Sequence, residues 1–301
     1  MFNISISSVE ETKFIEKNFK KFLKEKEYLI YTGEGLSINQ NGINLFERFE
    51  VDEKDFEKII EGKLSNENFR DFLNYFINLI IDYKLYDKNH YLFIINLLKK
   101  HDITYNIIIH TNKCKYFLWI TFKLYKEPYI NIELINNCKT LSRNIFLITN
   151  KEENKIFNAK HHLKCIDKCL REENAPYPGN FDGLIYEERT LQPKFIIEYS
   201  KVNWVYKLNK DIKYHLKWYC EDKKETGWKR DINRWKSLID LSNFIEIPVY
   251  IIWWGTEKEE FSVGQLKKID QNNCYNSIDI IKEKITRTEL FSFFEDLLNH
   301  L

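Results

Sequence analysis

Two short apolar runs constrain this chain more than any other stretch. "NFDGLIY" (180–186) and "FIIEYSKV" (195–202) each carry one acid among residues that otherwise ask for a sheet interior. β-Branched and aromatic residues favour strands, in which successive side chains point to opposite faces. A carboxylate set among Ile, Leu and Phe is costly unless a cation or hydrogen bonds compensate it. The intervening "EERTLQP" (187–193) predicts a hairpin turn, which would bring Asp182 and Glu198 together on adjacent strands. Two hard oxygen donors suit Mg²⁺ or Mn²⁺, whose shell is usually completed by waters and substrate phosphate.

Elsewhere the period of the apolar pattern changes along the chain. Residues 8–100 read mainly as helix, with "NFRDFLNYFINLIIDYKL" (68–85) and "NHYLFIINLLKK" (89–100) spaced for core-facing amphipathic helices. "YTGEGLSINQNG" (31–42) reads as a turn, having glycines but no Lys-Ser/Thr to make a phosphate loop. "ITYNIIIHT", "KYFLWITFKLY", "PYINIELIN" and "RNIFLITN", within 103–150, read as successive strands. Helix is expected over 150–174, strands over 181–187 and 194–202, helix over about 208–243, and strands at "PVYIIWWG" (248–255) and "FSVGQL". A terminal helix follows at "RTELFSFFEDLLNH". The fold class is therefore α/β (α+β), a mixed central β-sheet flanked by helices with a helix-rich N-terminal region. A length of 301 residues predicts two domains, placed by the change of pattern at 1–150 and 151–301.

A net charge of +1 leaves any polyanionic partner to a local patch. Such a patch is offered by residues 204–236, where ten Lys or Arg stand against five Asp or Glu and alternate with Trp204, Trp218, Trp228 and Trp235. Lys217, Lys229, Arg230 and Arg234 are the candidate phosphate contacts, and the aromatics either stack on unpaired bases or turn inward as core. Trp253 and Trp254 read as core. The six cysteines lack the dense spacing of a secreted disulfide framework, and no apolar segment approaches the ~20 residues a membrane helix needs. A cytoplasmic, reducing location is expected. His161, Cys165 and Cys169 fall four apart on one helix face, a pattern for soft-metal ligation that lacks an identifiable fourth ligand and is otherwise read as small thiols facing a core.

Asp182, a turn, an apolar strand ending in "EYSK", a helical region, the strand "IPVYIIWW" and then "FSV" together resemble the PD-(D/E)XK nuclease superfamily, over roughly residues 155–300. The resemblance implies a restriction-endonuclease-like fold and a Mg²⁺- or Mn²⁺-dependent endonuclease acting on nucleic acid, with DNA as the expected partner. It makes Asp182 and Glu198 the metal-binding acids, with the Tyr199 carbonyl as a further ligand. The preceding helix would bring His161, His162 or Glu173 beside the metal. The family lysine stands two residues after the second acid, but that position is Ser200 here and the lysine is Lys201. Strand alternation sets Lys201 on the other face unless a β-bulge at Tyr199–Ser200 restores the register, and Lys207, Lys217 and Lys229 are alternatives. Cutting both strands of DNA would favour a homodimer. The rivals are an RNA-directed endonuclease of the same fold and an inactive, nucleic-acid-binding descendant of it.

Overall fold

The computed structural model describes residues 17–39, 42–65, 88–149, 165–173, 179–202, 211–222, 228–255, 260–269 and 274–300. In chain order the elements are α1 (17–25), β1 (Tyr28–Asn39), β2 (Gly42–Val51), α2 (Glu53–Ser65), α3 (Lys88–Lys100), β3 (Ile103–Thr111), β4 (Phe117–Lys123) and β5 (Tyr129–Ile135). They continue with α4 (Cys138–Thr149), α5 (Cys165–Glu172), β6 (Gly179–Glu187), β7 (Pro193–Lys201), α6 (Ile212–Asp222), α7 (Trp228–Ile245), β8 (Val249–Trp254), β9 (Phe261–Leu266), β10 (Ile278–Ile285) and α8 (Arg287–His300). The architecture is α+β, with mixed sheets flanked by helices. The chain divides into two compact units: residues 1–32 with 181–301, and residues 33–180.

In the first unit the strands run in the order β10-β9-β8-β7-β6-β1, the last contributing its opening residues. β6 and β7 form an antiparallel hairpin, whereas β7 and β8 are parallel, and α6 and α7 make the crossover that a parallel pair requires. One sheet face carries Ile185, Phe195, Ile197, Tyr250, Ile252 and Trp254, packed against Phe19, Phe22 and Leu23 of α1 and Leu290, Phe294 and Leu298 of α8. The four-residue spacing on α8 is the helical stripe such a face needs. Phe294 is fully buried, and its ring lies 5.0 Å from Phe19 and 5.5 Å from Phe195. A capping box opens α8: the Glu289 carboxylate accepts from the Thr286 N–H at 2.7 Å, and the Thr286 hydroxyl oxygen accepts from the Glu289 N–H at 3.3 Å. At Gly264 a side chain is excluded, because a Cβ would stand 2.7 Å from the Trp253 ring and 2.8 Å from Ile278.

In the second unit the order is β1-β2-β3-β4-β5, with β2 and β3 parallel and the other pairs antiparallel. The α2–α3 segment connects the parallel pair, and both helices pack on β3. Asp52 caps α2 and Asn137 caps α4, each accepting at 2.8 Å from a backbone N–H three residues on. On the opposite face Phe46, Ile108, Phe117 and Trp119 pack against Leu141 and Ile145 of α4 and Ile166, Cys169 and Leu170 of α5. Buried Asn106 is satisfied there: its oxygen accepts from Trp119 at 3.2 Å and Thr121 at 2.9 Å, and its amide donates toward Asn44 at 3.3 Å.

Several expectations are corrected. The division does not fall at 150, because β2–β5 pair with one another while the 181–201 hairpin joins the sheet containing the start of β1. Residues 31–42 are not one turn, since 28–39 and 42–51 are paired strands. Residues 143–149 of "RNIFLITN" lie in α4, where buried Leu141, Ser142, Ile145 and Thr149 follow a helical rather than an alternating period. β10 went unforeseen, because its core-facing residues are few and Asp279, Lys282, Glu283 and Lys284 interrupt it. The expected helix at 68–85 lies outside the described residues. The cysteines also differ from free thiols: Cys114 is joined to Cys165 and Cys138 to Cys169 as disulfides. No helix among the described residues is long and apolar enough to cross a membrane.

Candidate active site

The β6–β7 hairpin holds both predicted acids. Its turn is fixed by the Glu187 N–H donating to the Gln192 carbonyl at 3.0 Å, by the Thr190 hydroxyl on the Glu187 carboxylate at 2.7 Å, and by an Arg189–Glu27 ion pair at 2.6 Å. Glu187 and Glu27 thus serve the turn itself. The antiparallel register runs through Ile185–Phe195, Leu184–Ile196 and Gly183–Ile197, so Asp182 and Glu198 lie one residue further along each strand and on one sheet face. Gly183, next to Asp182 and opposite Ile197, faces the other side of the sheet, where an added Cβ would collide with Ile30.

Asp182 is half-buried, and its Oδ2 accepts a hydrogen bond from the Tyr199 backbone N–H at 2.6 Å. A charge-assisted bond of this length orients the carboxylate across the end of the ladder toward β7. Glu198 is 2% exposed, flanked along its face by Ile196 and next to Ile251 on β8. Helix α7 packs on β7 and β8, and with α1 and α8 occupying the other face it covers the side that carries Glu198. The two carboxylates make an all-oxygen donor set, which fits a hard divalent cation such as Mg²⁺ or Mn²⁺. As the structure stands, no group of three or more His, Cys, Asp or Glu side chains among the described residues is placed to hold a metal ion. Such a cation would therefore need water and substrate oxygens to complete its shell.

The lysine question turns on register. β7 pairs with β8 without interruption from Ile196–Val249 to Lys201–Trp254, so no bulge intervenes at Tyr199–Ser200 in that ladder. Alternation then puts position 201 on the Tyr199 side and Ser200 on the side of Glu198. Tyr199 itself packs against the apolar core of the first unit.

The remaining candidates are dispersed. Lys217 is exposed on α6, and Lys229, Arg230 and Arg234 lie along α7 with side chains outside the described residues. His161, His162 and Lys207 also lie outside them. Glu173 is an exposed turn residue after α5, belonging to the second unit, whereas Asp182 and Glu198 belong to the first. Trp253 and Trp254 are core, as expected, and Trp235 is buried as well.

The sequence reading overlooked a further buried acid, Glu47, which is 1% exposed on β2 between Leu45 and Phe49 positions of the same face. "LFERFEV" carried the same signal as "FIIEY", an acid among apolar residues, but lay in a stretch assigned to helix. His215 on α6 was likewise missed, and burial pushes its imidazole pKa down to about 4. Comparison with protein-family profiles, curated proteins and solved structures finds no match.

Proposed function

We propose that the first unit is a metal-dependent phosphodiester hydrolase, an endonuclease acting on nucleic acid and, in its plainest version, on DNA. The observation that carries this reading is the placement of Asp182 and Glu198 on one face of adjacent strands, next to a helical crossover and a parallel β8. That order of elements is the one the resemblance to PD-(D/E)XK nucleases implies. Asp182 and Glu198 would hold Mg²⁺ or Mn²⁺, which when bound supplies charge to polarise a phosphoryl oxygen and acidify a water. The chain's own work is to hold the acids in place. The Tyr199 N–H fixes the Asp182 carboxylate, and burial of Glu198 under α7 keeps its carboxylate in a low-dielectric setting where a cation is bound more strongly. A lysine acting on the nucleophile would come from another element, with Lys217 and Lys229 as the candidates. Basic residues of α6 and α7 would contact the phosphate backbone.

The experiment is incubation of the purified protein with supercoiled plasmid, linear duplex and single-stranded RNA in Mg²⁺ or Mn²⁺, beside Asp182→Ala and Glu198→Ala. Cleavage lost in both variants supports the reading, and the substrate cut decides between DNA and RNA. The unbroken β7–β8 register, with Ser200 in the lysine's place, favours a second reading: a nucleic-acid-binding protein that kept the scaffold without the chemistry. Binding without cleavage by wild type, undiminished in Asp182→Ala, is its signature.

A further inference from the structure

The second unit gathers four cysteines from three elements around one turn of helix. Cys165 and Cys169 lie four apart on α5, which sets their Cβ atoms roughly 5–6 Å apart on one face. Cys114, in the loop after β3, reaches Cys165 across a Cα separation of 5.9 Å. Cys138, opening α4, reaches Cys169 across 5.5 Å. Cys114 and Cys169 belong to the buried core of this unit, and Cys138 and Cys165 pack against it. Cys114 adopts a left-handed backbone conformation, φ 48°, which a non-glycine residue holds only when its surroundings fix it.

A separate observation concerns charge on sulfur. His110 is 1% exposed, and its Nδ1 lies 2.9 Å from the Thr111 carbonyl oxygen, which can only accept, so Nδ1 carries the proton. The same nitrogen lies 3.7 Å from the Cys114 sulfur. Shared between that carbonyl and the sulfur, the Nδ1 proton gives a thiolate at Cys114 a weak outer-shell donor.

In the structure these four cysteines form two disulfides and are not placed to hold a metal ion; we propose that in its reduced state the cluster becomes a tetrathiolate site for Zn²⁺, held by Cys114, Cys138, Cys165 and Cys169. Tetrahedral zinc with Zn–S near 2.3 Å places its sulfurs about 3.8 Å apart, within reach of side chains whose Cα atoms lie 5.9 and 5.5 Å apart within each pair, the pairs being joined through Cys165 and Cys169 one turn apart on α5. Two exchanges with a dithiol reductant deliver four electrons and four protons, turning two disulfides into four thiols while the reductant leaves as its own disulfides. Zn²⁺ then displaces four protons. The ion ties α5 to the β3–β4 loop and the start of α4, as the disulfides do in the oxidised chain. This site is independent of the acids on β6 and β7.

The test uses the full chain reduced with a phosphine and supplied with Zn²⁺, analysed by native mass spectrometry and zinc X-ray absorption. One zinc per chain with four sulfur neighbours near 2.3 Å is expected, falling to none in Cys165→Ser combined with Cys169→Ser and unchanged in Cys220→Ser. A reduced chain that retains no zinc overturns the proposal. So does zinc bound through nitrogen or oxygen, or retained by the double variant. The absorption spectrum of the unmodified chain decides the matter even if the double variant does not fold.

Discussion

Asp182 allows the structural and the chemical role of one carboxylate to be separated. Its Oδ2 accepts the Tyr199 N–H at 2.6 Å, and hydrogen bonds to charged groups contribute about 1.5–3 kcal/mol. Half-burial screens part of this, leaving about 1–2 kcal/mol. Asp182→Asn keeps an oxygen that can accept the same bond, so its cost should stay near 0.5 kcal/mol. Asp182→Ala removes the acceptor and should cost the full amount, a fall in Tm of roughly 2–3 °C at this chain length. Metal response sorts the variants differently. Mn²⁺ at a hundredfold excess over its Kd should stabilise wild type by about 2.7 kcal/mol, and both variants should lose that gain, since an amide is a poor substitute for a carboxylate on a hard cation. The assay is thermal and urea unfolding with Mn²⁺ or with EDTA. Asp182→Asn retaining the full Mn²⁺ shift would refute the metal role, and Asp182→Ala matching Asp182→Asn in EDTA would refute the structural one.

Two further outcomes follow from packing and burial in the same unit. Phe294→Ala empties a ring site enclosed by Phe19, Phe195 and Phe293, and should cost about 3–5 kcal/mol by urea midpoint, against which a loss below about 1 kcal/mol would contradict the core assignment. His215, with its folded pKa lowered to about 4 from 6.5, binds its proton more readily in the unfolded chain, so its contribution is complete above pH 6.5 and is lost as pH falls toward 4. At about 1.4 kcal/mol per pKa unit this amounts to about 3 kcal/mol. His215→Gln should flatten the stability profile between pH 6.5 and 4 relative to wild type, and parallel profiles would rule out a buried neutral imidazole.

The hairpin acids were legible in sequence because "NFDGLIY" and "FIIEYSKV" combine strand composition with a single costly residue each, and local pattern decides both. Trp253 and Trp254 were legible for the same reason. What failed depended on partners elsewhere in the chain. "RNIFLITN" has strand composition, yet Leu141 and Ile145 share a helix face because α5 supplies the surface they bury against. Residues 31–42 read as a glycine-rich turn because their strand partner, the segment 42–51, itself lay in a stretch read as helix. The cysteine pairings join residues 51 and 31 positions apart, a closure no spacing rule reveals. At Lys201 the register depends on pairing with β8, a strand beyond α6 and α7 in the chain, and that ladder runs to the position without a break.

The first unit is discontinuous, made of residues on either side of 33–180, and this sets an order of events during synthesis. At about 5–20 residues per second, roughly 8–30 s separate translation of α1 and the start of β1 from translation of the hairpin they join. The intervening unit emerges whole and can complete its core first. Phe19, Phe22 and Leu23 meanwhile wait for Phe294 and Leu298, which lie in α8. The core beneath the carboxylate pair on β6 and β7 is therefore completed only once α8 has been made, so a ribosome stalled before residue 287 would release a chain whose second unit is complete and whose proposed nuclease is not.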